Sequence, residues 1–260
     1  MRNESEPARS RRRSKQAPPD PGKTARNVLS SFNTWSFKRE QPTEPDLLLK
    51  TIELHVTRGT PVELVLYWGK GPRSRIAPPD VACLDFLATM RARIEGQYAQ
   101  GTATTLTLTD TPARLNGHAE QAINAYFRDV SEAAWQRGMA TVRLSRLVAD
   151  VNEEEVDIPE IEPQLLQDLR DSAEKWFRGD ADSERGAREY FHMNMIERAA
   201  IERHFPRAIF LTFNGRQVRQ LFPQQMPVFY MYSLRRGQSV KPWFLDANGA
   251  PFSNASAIAA

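Results

Sequence analysis

Three short stretches carry residues whose types and spacing suit the handling of small charged molecules. The first is Gly69-Lys70-Gly71-Pro72-Arg73-Ser74-Arg75, which follows the apolar run Val62 to Tyr67. Glycines allow close backbone approach and positive φ, while lysine and arginine supply charge and donors for a phosphate or carboxylate. An exposed turn would carry the same letters, so an anion cradle and a solvated turn both stay open. The stretch is neither a Walker A loop, lacking the glycine spacing and the Lys-Ser/Thr pair, nor a GxGxxG fingerprint. The second stretch is "TLTDTPARLNGH", where Asp110 ends a β-rich run and Arg114, Asn116 and His118 follow. An acid at a strand end can orient an amine or act as a base; it can equally cap the next turn. The third is "ATVRLSRL", which sets Arg143 in a further β-rich run and Arg146 just after it.

Other chemistries find little support. The four histidines, His55, His118, His192 and His204, show no ligand spacing such as HExxH, and no metal is expected. One cysteine, Cys83, precludes an internal disulfide and a cysteine-cluster zinc site; it falls on an inward helix face and reads as packing. No GxSxG elbow is present, which disfavours an α/β-hydrolase. The alternating aromatics of "PVFYMYS" read as a half-buried strand rather than a base-stacking platform.

The elements that must position these residues alternate. "EPDLLLKTIELHVTRG" has helical spacing at Leu47, Leu48, Ile52 and Val56, with Gly59 as its stop. Val62 to Tyr67 reads as a buried strand. "PPDVACLDFLATMRARIEGQY" reads as a helix with Asp80 as N-cap, and "GTATTLTLTD" as a second strand. A helix follows, with Ile123, Tyr126, Phe127, Val130 and Ala134 inward and Gly138 as stop; "ATVRLSRL" is then the third strand. That alternation predicts a Rossmann-like α/β fold with a largely parallel central sheet flanked by helices, whose ligands sit outside the carboxyl ends of the strands. Lys70, Asp110, Arg143 and Arg146 all fall there. "VADVNEEEVDIPEIEP" reads as a surface connection, and two helical stretches follow it. "RAIFLTFN", "RQVRQLFP" and "PVFYMYSLRR" then predict antiparallel C-terminal strands extending the sheet.

Charge is unevenly placed. The chain of 260 residues carries a net +3, yet residues 1–26 alone hold eight Lys/Arg against three acids. That tail is +5 and the other 234 residues sum to −2. The computed pI of about 9.1 therefore reflects a Pro/Ser/Arg-rich tail rather than a basic core. "RSRRRSK" could touch a nucleic acid or membrane surface, or merely keep the chain soluble. The expected organisation is a disordered basic tail over 1–27, one α/β domain over 28–246 and a loose tail over 247–260. Order begins near "NVLSSFNTWSFKREQP", whose Phe32, Trp35 and Phe37 call for burial. No apolar run approaches a membrane span, and no secretory leader is evident, so a cytoplasmic protein without nucleic-acid or membrane partners is expected. A homodimer is allowed by the sequence but not fixed by it.

Taken in order, the segments resemble the isonitrile (isocyanide) synthase family, the group associated with pyoverdine and dityrosine biosynthesis. A Phe-Pro-Cys-Lys-Ser type motif at a strand end is matched by "YWGKG", with Lys70 at the lysine. Pro79-Asp80 stands at the family's Pro-Asp before a long helix. "YAQGTATTLTLTD" follows its Tyr-x-Pro-Gly, strand and Ser-Asp-Gly course, with Asp110 at the aspartate. A later family aspartate is Asn116 here, and a helical tyrosine is Tyr126. "AIFLTFNG" and "KPWF" take the places of Ile-Arg-Leu-Ser-Ile-His-Pro and Pro-Trp-His, so both family histidines are replaced, by Asn214 and Phe244. The resemblance spans about residues 45–245. It implies an enzyme that joins the amine of an amino acid, often tyrosine or tryptophan, to ribulose 5-phosphate to form an isonitrile, without metal or organic cofactor. Lys70 and Asp110 would then be catalytic. Arg73, Arg75, Arg143 and Arg146 would cradle the phosphate, Arg114 would meet a carboxylate, and Asn116 and Asn214 would line the site. Lys38 and Arg39 are weaker members of the same cluster. Loss of the two imidazoles admits a different amino-acid or sugar-phosphate reaction on the same fold. A non-catalytic module with a binding tail is the third reading.

Overall fold

The computed structural model describes residues 20–69, 75–176, 182–231, 234–235 and 238–239, with side chains to 174 and over 182–231. Two helices, α1 (Pro21–Phe32) and α2 (Pro45–Arg58), precede strand β1 (Val62–Trp68). Then come α3 (Pro78–Glu95), β2 (Thr102–Leu108), the short α4 (Asp110–Leu115), α5 (Glu120–Trp135), β3 (Ala140–Arg143) and the short α6 (Leu144–Val148). Two long helices, α7 (Pro163–Trp176) and α8 (Ser183–His204), lead to β4 (Ile209–Thr212) and β5 (Val228–Tyr230). The five strands form one sheet in the order β3-β2-β1-β4-β5. Every pairing in it is parallel.

The parallel sheet expected from the strand–helix alternation is therefore present, and the antiparallel extension is not. β4 pairs parallel with β1, and β5 parallel with β4. The stretch read as a middle strand, "RQVRQLFP", is a 3-10 helix over Arg216–Leu221. Val218 and Leu221 are three apart, the period of a 3-10 turn, and no strand alternation is present. The only antiparallel ladder among the described residues is the separate pair Leu234–Arg235 with Gln238–Ser239.

β1 explains the layering. Its run V-E-L-V-L-Y-W is buried at five of seven positions because both faces are covered. Val62, Leu64, Leu66 and Trp68 pack with α1, α2, α3 and α5 in one core, while Val65 joins α6, α7, α8, β4 and β5 in the other. β2 is rich in threonine for a local reason. Thr107 and Thr109 donate from Oγ1 to the carbonyls of Leu66 and Trp68 at 2.9 and 2.7 Å, which fastens the carboxyl ends of β1 and β2 side by side.

Several local expectations shift. α3 starts at Pro78, so Asp80 is not its N-cap; it lies one turn in and its Oδ2 accepts from the Ala77 N–H at 2.9 Å. α1 begins at Pro21, capped by Asp20, within the segment assigned to the tail, and buries Ala25, Val28 and Phe32. Phe32 meets Phe229 edge to face at 4.9 Å. Phe37 is buried as expected, but Trp35 is 85% exposed, standing on the turn closed by Phe37 N–H to the Thr34 carbonyl.

Candidate functional site

The chain runs outward from β1 to β2 and β3, then returns to place β4 on β1's other side. The strand order thus reverses between β1 and β4, and ligands of such sheets bind at the carboxyl ends near that point. Gly69 leaves β1 there and Asn214 leaves β4 there. Lys70 and Arg73 lie outside the described residues; Arg75, just after them, is exposed. Asn214 is half-buried, its N–H donating to Thr212 Oγ1 at 3.0 Å. Beside it, Arg39 reaches the Phe213 carbonyl at 3.4 Å and pairs with Glu40 at 2.9 Å, while Lys38 Nζ donates to Gln41.

Asp110 is the centre of the second group. It opens α4 directly after β2 and is 1% exposed. Its Oδ1 accepts from the Ser145 N–H at 2.9 Å, and its Oδ2 from Ser145 Oγ at 2.6 Å and Arg114 Nη1 at 3.0 Å. One carboxylate therefore ties α4 to the start of α6, across the ends of β2 and β3. Arg114, one helical turn further on, also holds Glu120 through Nε and Nη2. Those contacts, the Glu120 hydrogen bond foremost, raise its pKa, and Glu120 is lowered in turn. A guanidinium so engaged is less open to a substrate carboxylate than the sequence suggests.

Arg143, the last residue of β3, keeps spare capacity. Its guanidinium lies 4.8 Å over the Phe127 ring and Nη2 donates to Asn124 Oδ1 at 3.2 Å. Nη1 is buried without a hydrogen-bond partner among the described residues. Desolvation is the main reason its pKa is lowered; Asp110 and Glu120 act against it and Arg114 with it. A buried donor of this kind is costly unless a ligand meets it. Arg146 is exposed on α6, and Asn116 caps α4 through its backbone N–H. The structure thus brings together Asp110, Arg114 and Arg143, and leaves Arg146 turned to solvent.

One functional candidate was not read from the sequence. Glu197, on α8, is 2% exposed and accepts a hydrogen bond from Thr111 of α4. Burial, with a smaller push from Asp110 and opposed by Thr111, raises its pKa to about 8. It lines a cleft of about 330 Å³ with Thr111, Arg114, Val148, Glu153, His192, Met193 and Ile196. Behind it, Tyr67 from β1 holds its hydroxyl buried without a hydrogen-bond partner among the described residues, and Tyr190 is pushed up to about 12 by burial. The signal was present: Tyr190, Asn194, Glu197 and Ile201 recur at helical spacing on one face of α8, three polar residues where a core helix needs apolar ones.

Among the described residues no group of three His, Cys, Asp or Glu is placed to hold a metal ion, and no helix is long and apolar enough to cross a membrane. His55 is a satisfied core residue, its ring nitrogens meeting Thr60 Oγ1 at 3.1 Å and the Arg207 carbonyl at 3.0 Å. Cys83 is buried packing.

These features define a doubly wound α/β protein with charged residues gathered at the carboxyl edge of a five-stranded parallel sheet. Among solved structures it resembles the PvcA protein from Pseudomonas aeruginosa, of the pyoverdine/isonitrile synthase family, at a TM-score of 0.60 and 15% identity over 91% of this chain and 94% of that one. A tyrosyl-tRNA synthetase from Archaeoglobus fulgidus, complexed with L-tyrosine, matches at a TM-score of 0.50 and 13% identity over 91% of this chain and 68% of its own. No protein-family profile and no curated protein sequence matches the chain. The family resemblance seen in the order of sequence segments is thus a resemblance of fold.

Proposed function

We propose that the chain is an enzyme of isonitrile-synthase type, joining an amino-acid amine to the carbonyl of ribulose 5-phosphate. The end-to-end match with PvcA carries this reading, since both chains are used almost whole. The L-tyrosine held by the synthetase of related fold supports an amino acid as one ligand class. The buried Nη1 of Arg143, without a hydrogen-bond partner among the described residues, supports an anion at the end of β3. In this reading Lys70, Arg73 and Arg75 join Arg143 on the phosphate, and Asp110 serves as the anchor that fixes Arg114 and α6. A different reaction on the same pair of substrate classes is a second reading. It is favoured by Asn214 and Phe244 at the family's histidine positions, which leave the proton transfers to other groups.

The test is calorimetric titration with ribulose 5-phosphate, repeated with Lys70→Ala and Arg143→Ala, followed by incubation with an amino-acid panel and detection of isonitrile by mass spectrometry. Saturable binding weakened at least ~10-fold in each variant is expected, because a charge-assisted contact is worth about 1.5–3 kcal/mol. Absence of binding to the intact protein would remove ribulose 5-phosphate as substrate. Binding with another product would favour the second reading.

A further inference from the structure

Glu197 is an unusual tenant of its position. It sits about two-thirds of the way along a 22-residue helix, on a buried face, where an ionised carboxylate is expensive unless a cation meets it. Among the described residues no lysine, arginine or histidine pairs with it. Arg114 lines the same cleft but is held by Glu120 and Asp110. The other groups that face Glu197 are Asp110 from α4, Glu153 from the turn after α6, His192 and Tyr190 from α8, and Tyr67 from β1. The cleft itself, about 330 Å³, falls within the range of small-ligand sites. A buried acid without its cation, at the wall of a ligand-sized cleft beside the end of β2, lacks what a protonated amine would bring.

We propose that this cleft takes the primary amine of the amino-acid substrate, with the Glu197 carboxylate as the partner of its ammonium group and the acceptor of its proton. The proposal rests on the reading of the chain as an enzyme acting on amino acids and gives that reading its amine site. An ammonium nitrogen has no lone pair for attack on a carbonyl carbon. With Glu197 beside it, ammonium, carbonyl and carboxylate become carbinolamine and carboxylic acid. The C–N bond forms and the C=O π bond breaks. One nitrogen proton ends on Glu197 and a second on the new hydroxyl, so charge and atoms balance without a metal or an oxidant. This is the proton transfer for which the replaced histidines leave a gap.

The test reads protons as well as affinity. Each of the common L-amino acids is titrated calorimetrically into the intact protein at pH 7, in two buffers of different ionisation enthalpy. An acid with its pKa raised to about 8 is mostly protonated at pH 7. Pairing it with an ammonium group must therefore release on the order of 0.9 proton per amino acid bound. At pH 8 that release should fall to about 0.5 proton, which needs no variant. Glu197→Gln, which keeps the shape and an acceptor for Thr111, should abolish the release and bind at least ~10-fold more weakly. Binding without proton release, or equal affinity in the variant, would overturn the assignment of the cleft while leaving an amino-acid enzyme intact. Failure of every amino acid to bind the intact protein would remove that broader reading, and the cleft's assignment with it.

Discussion

Replacing Asp110 tests whether the carboxylate at the end of β2 is an anchor or a free reactive group. Asp110→Ala deletes three acceptor contacts, to the Ser145 N–H, to Ser145 Oγ and to Arg114 Nη1. The two from Ser145 are part-buried and charge-assisted, ending on a carboxylate that is itself 1% exposed, and losing an acceptor of that kind costs about 1.5 kcal/mol each at the low end. The Arg114 contact is worth less, about 0.5 kcal/mol, because that side chain is 41% exposed and water screens it. The sum is about 3 to 4 kcal/mol. A domain of this size shifts its Tm by about 2–4 °C per kcal/mol, so a fall of roughly 6–16 °C is expected. Asp110→Asn keeps one acceptor for the Ser145 N–H and should lose about half as much. The assay is thermal unfolding followed by far-UV circular dichroism and by tryptophan fluorescence, for which buried Trp68 is a reporter. A Tm within about 2 °C of the wild type for Asp110→Ala would refute the anchor, and would return Asp110 to the role of a reactive acid that the sequence pattern first suggested.

Two further outcomes follow from other parts of the fold. Glu197 has its folded pKa raised above its unfolded value, so its contribution to stability is fully present below about pH 4.5 and is lost as pH rises through about 8. Guanidinium unfolding at pH 5, 6, 7 and 8 should show Glu197→Gln gaining on the wild type by about 1.4 kcal/mol per pH unit; parallel curves would mean that Glu197 titrates normally. Phe32→Ala removes a fully buried ring that meets Phe229 at 4.9 Å and should cost about 3–5 kcal/mol in the same experiment. A loss below 1 kcal/mol would mean that α1 is not part of the packed domain.

What was legible in the sequence is the part that periodicity encodes. Leu48 and Ile52 on α2, and Ile123, Tyr126, Phe127, Val130 and Ala134 on α5, recur at helical spacing and are all buried. Gly59 and Gly138 stop chain segments at φ of 62° and 69°, which side chains rarely adopt. Strand direction is not encoded that way. "RAIFLTFN", "RQVRQLFP" and "PVFYMYSLRR", close in sequence, predict three antiparallel strands, but the middle one is the 3-10 helix Arg216–Leu221. Fifteen residues, 213–227, then separate β4 from β5, enough for the crossover that a parallel pair needs. The burial of all three β5 residues, with a core on each face of the sheet, agrees with the parallel solution. Trp35 shows another limit: its type calls for burial, yet it stands exposed on the turn while Phe37, two residues on, packs against Phe86.

The site was legible in place and illegible in partnership. Chain order puts Asp110 and Arg143 at strand ends, and that much survives. What each can do depends on contacts that the sequence does not announce. Ser145, 35 positions away, occupies both oxygens of Asp110, and Glu120 takes the face of Arg114 that a substrate carboxylate would need. Meanwhile, among the described residues, Arg143 has an unmet donor and the buried acid Glu197 has no cationic partner. The proposed reading therefore places its chemistry on cationic Arg143 at the end of β3, whose Nη1 lacks a partner among the described residues, and on Glu197, a buried acid on α8. A reaction that joins an anionic carbonyl compound to an amine needs one of each.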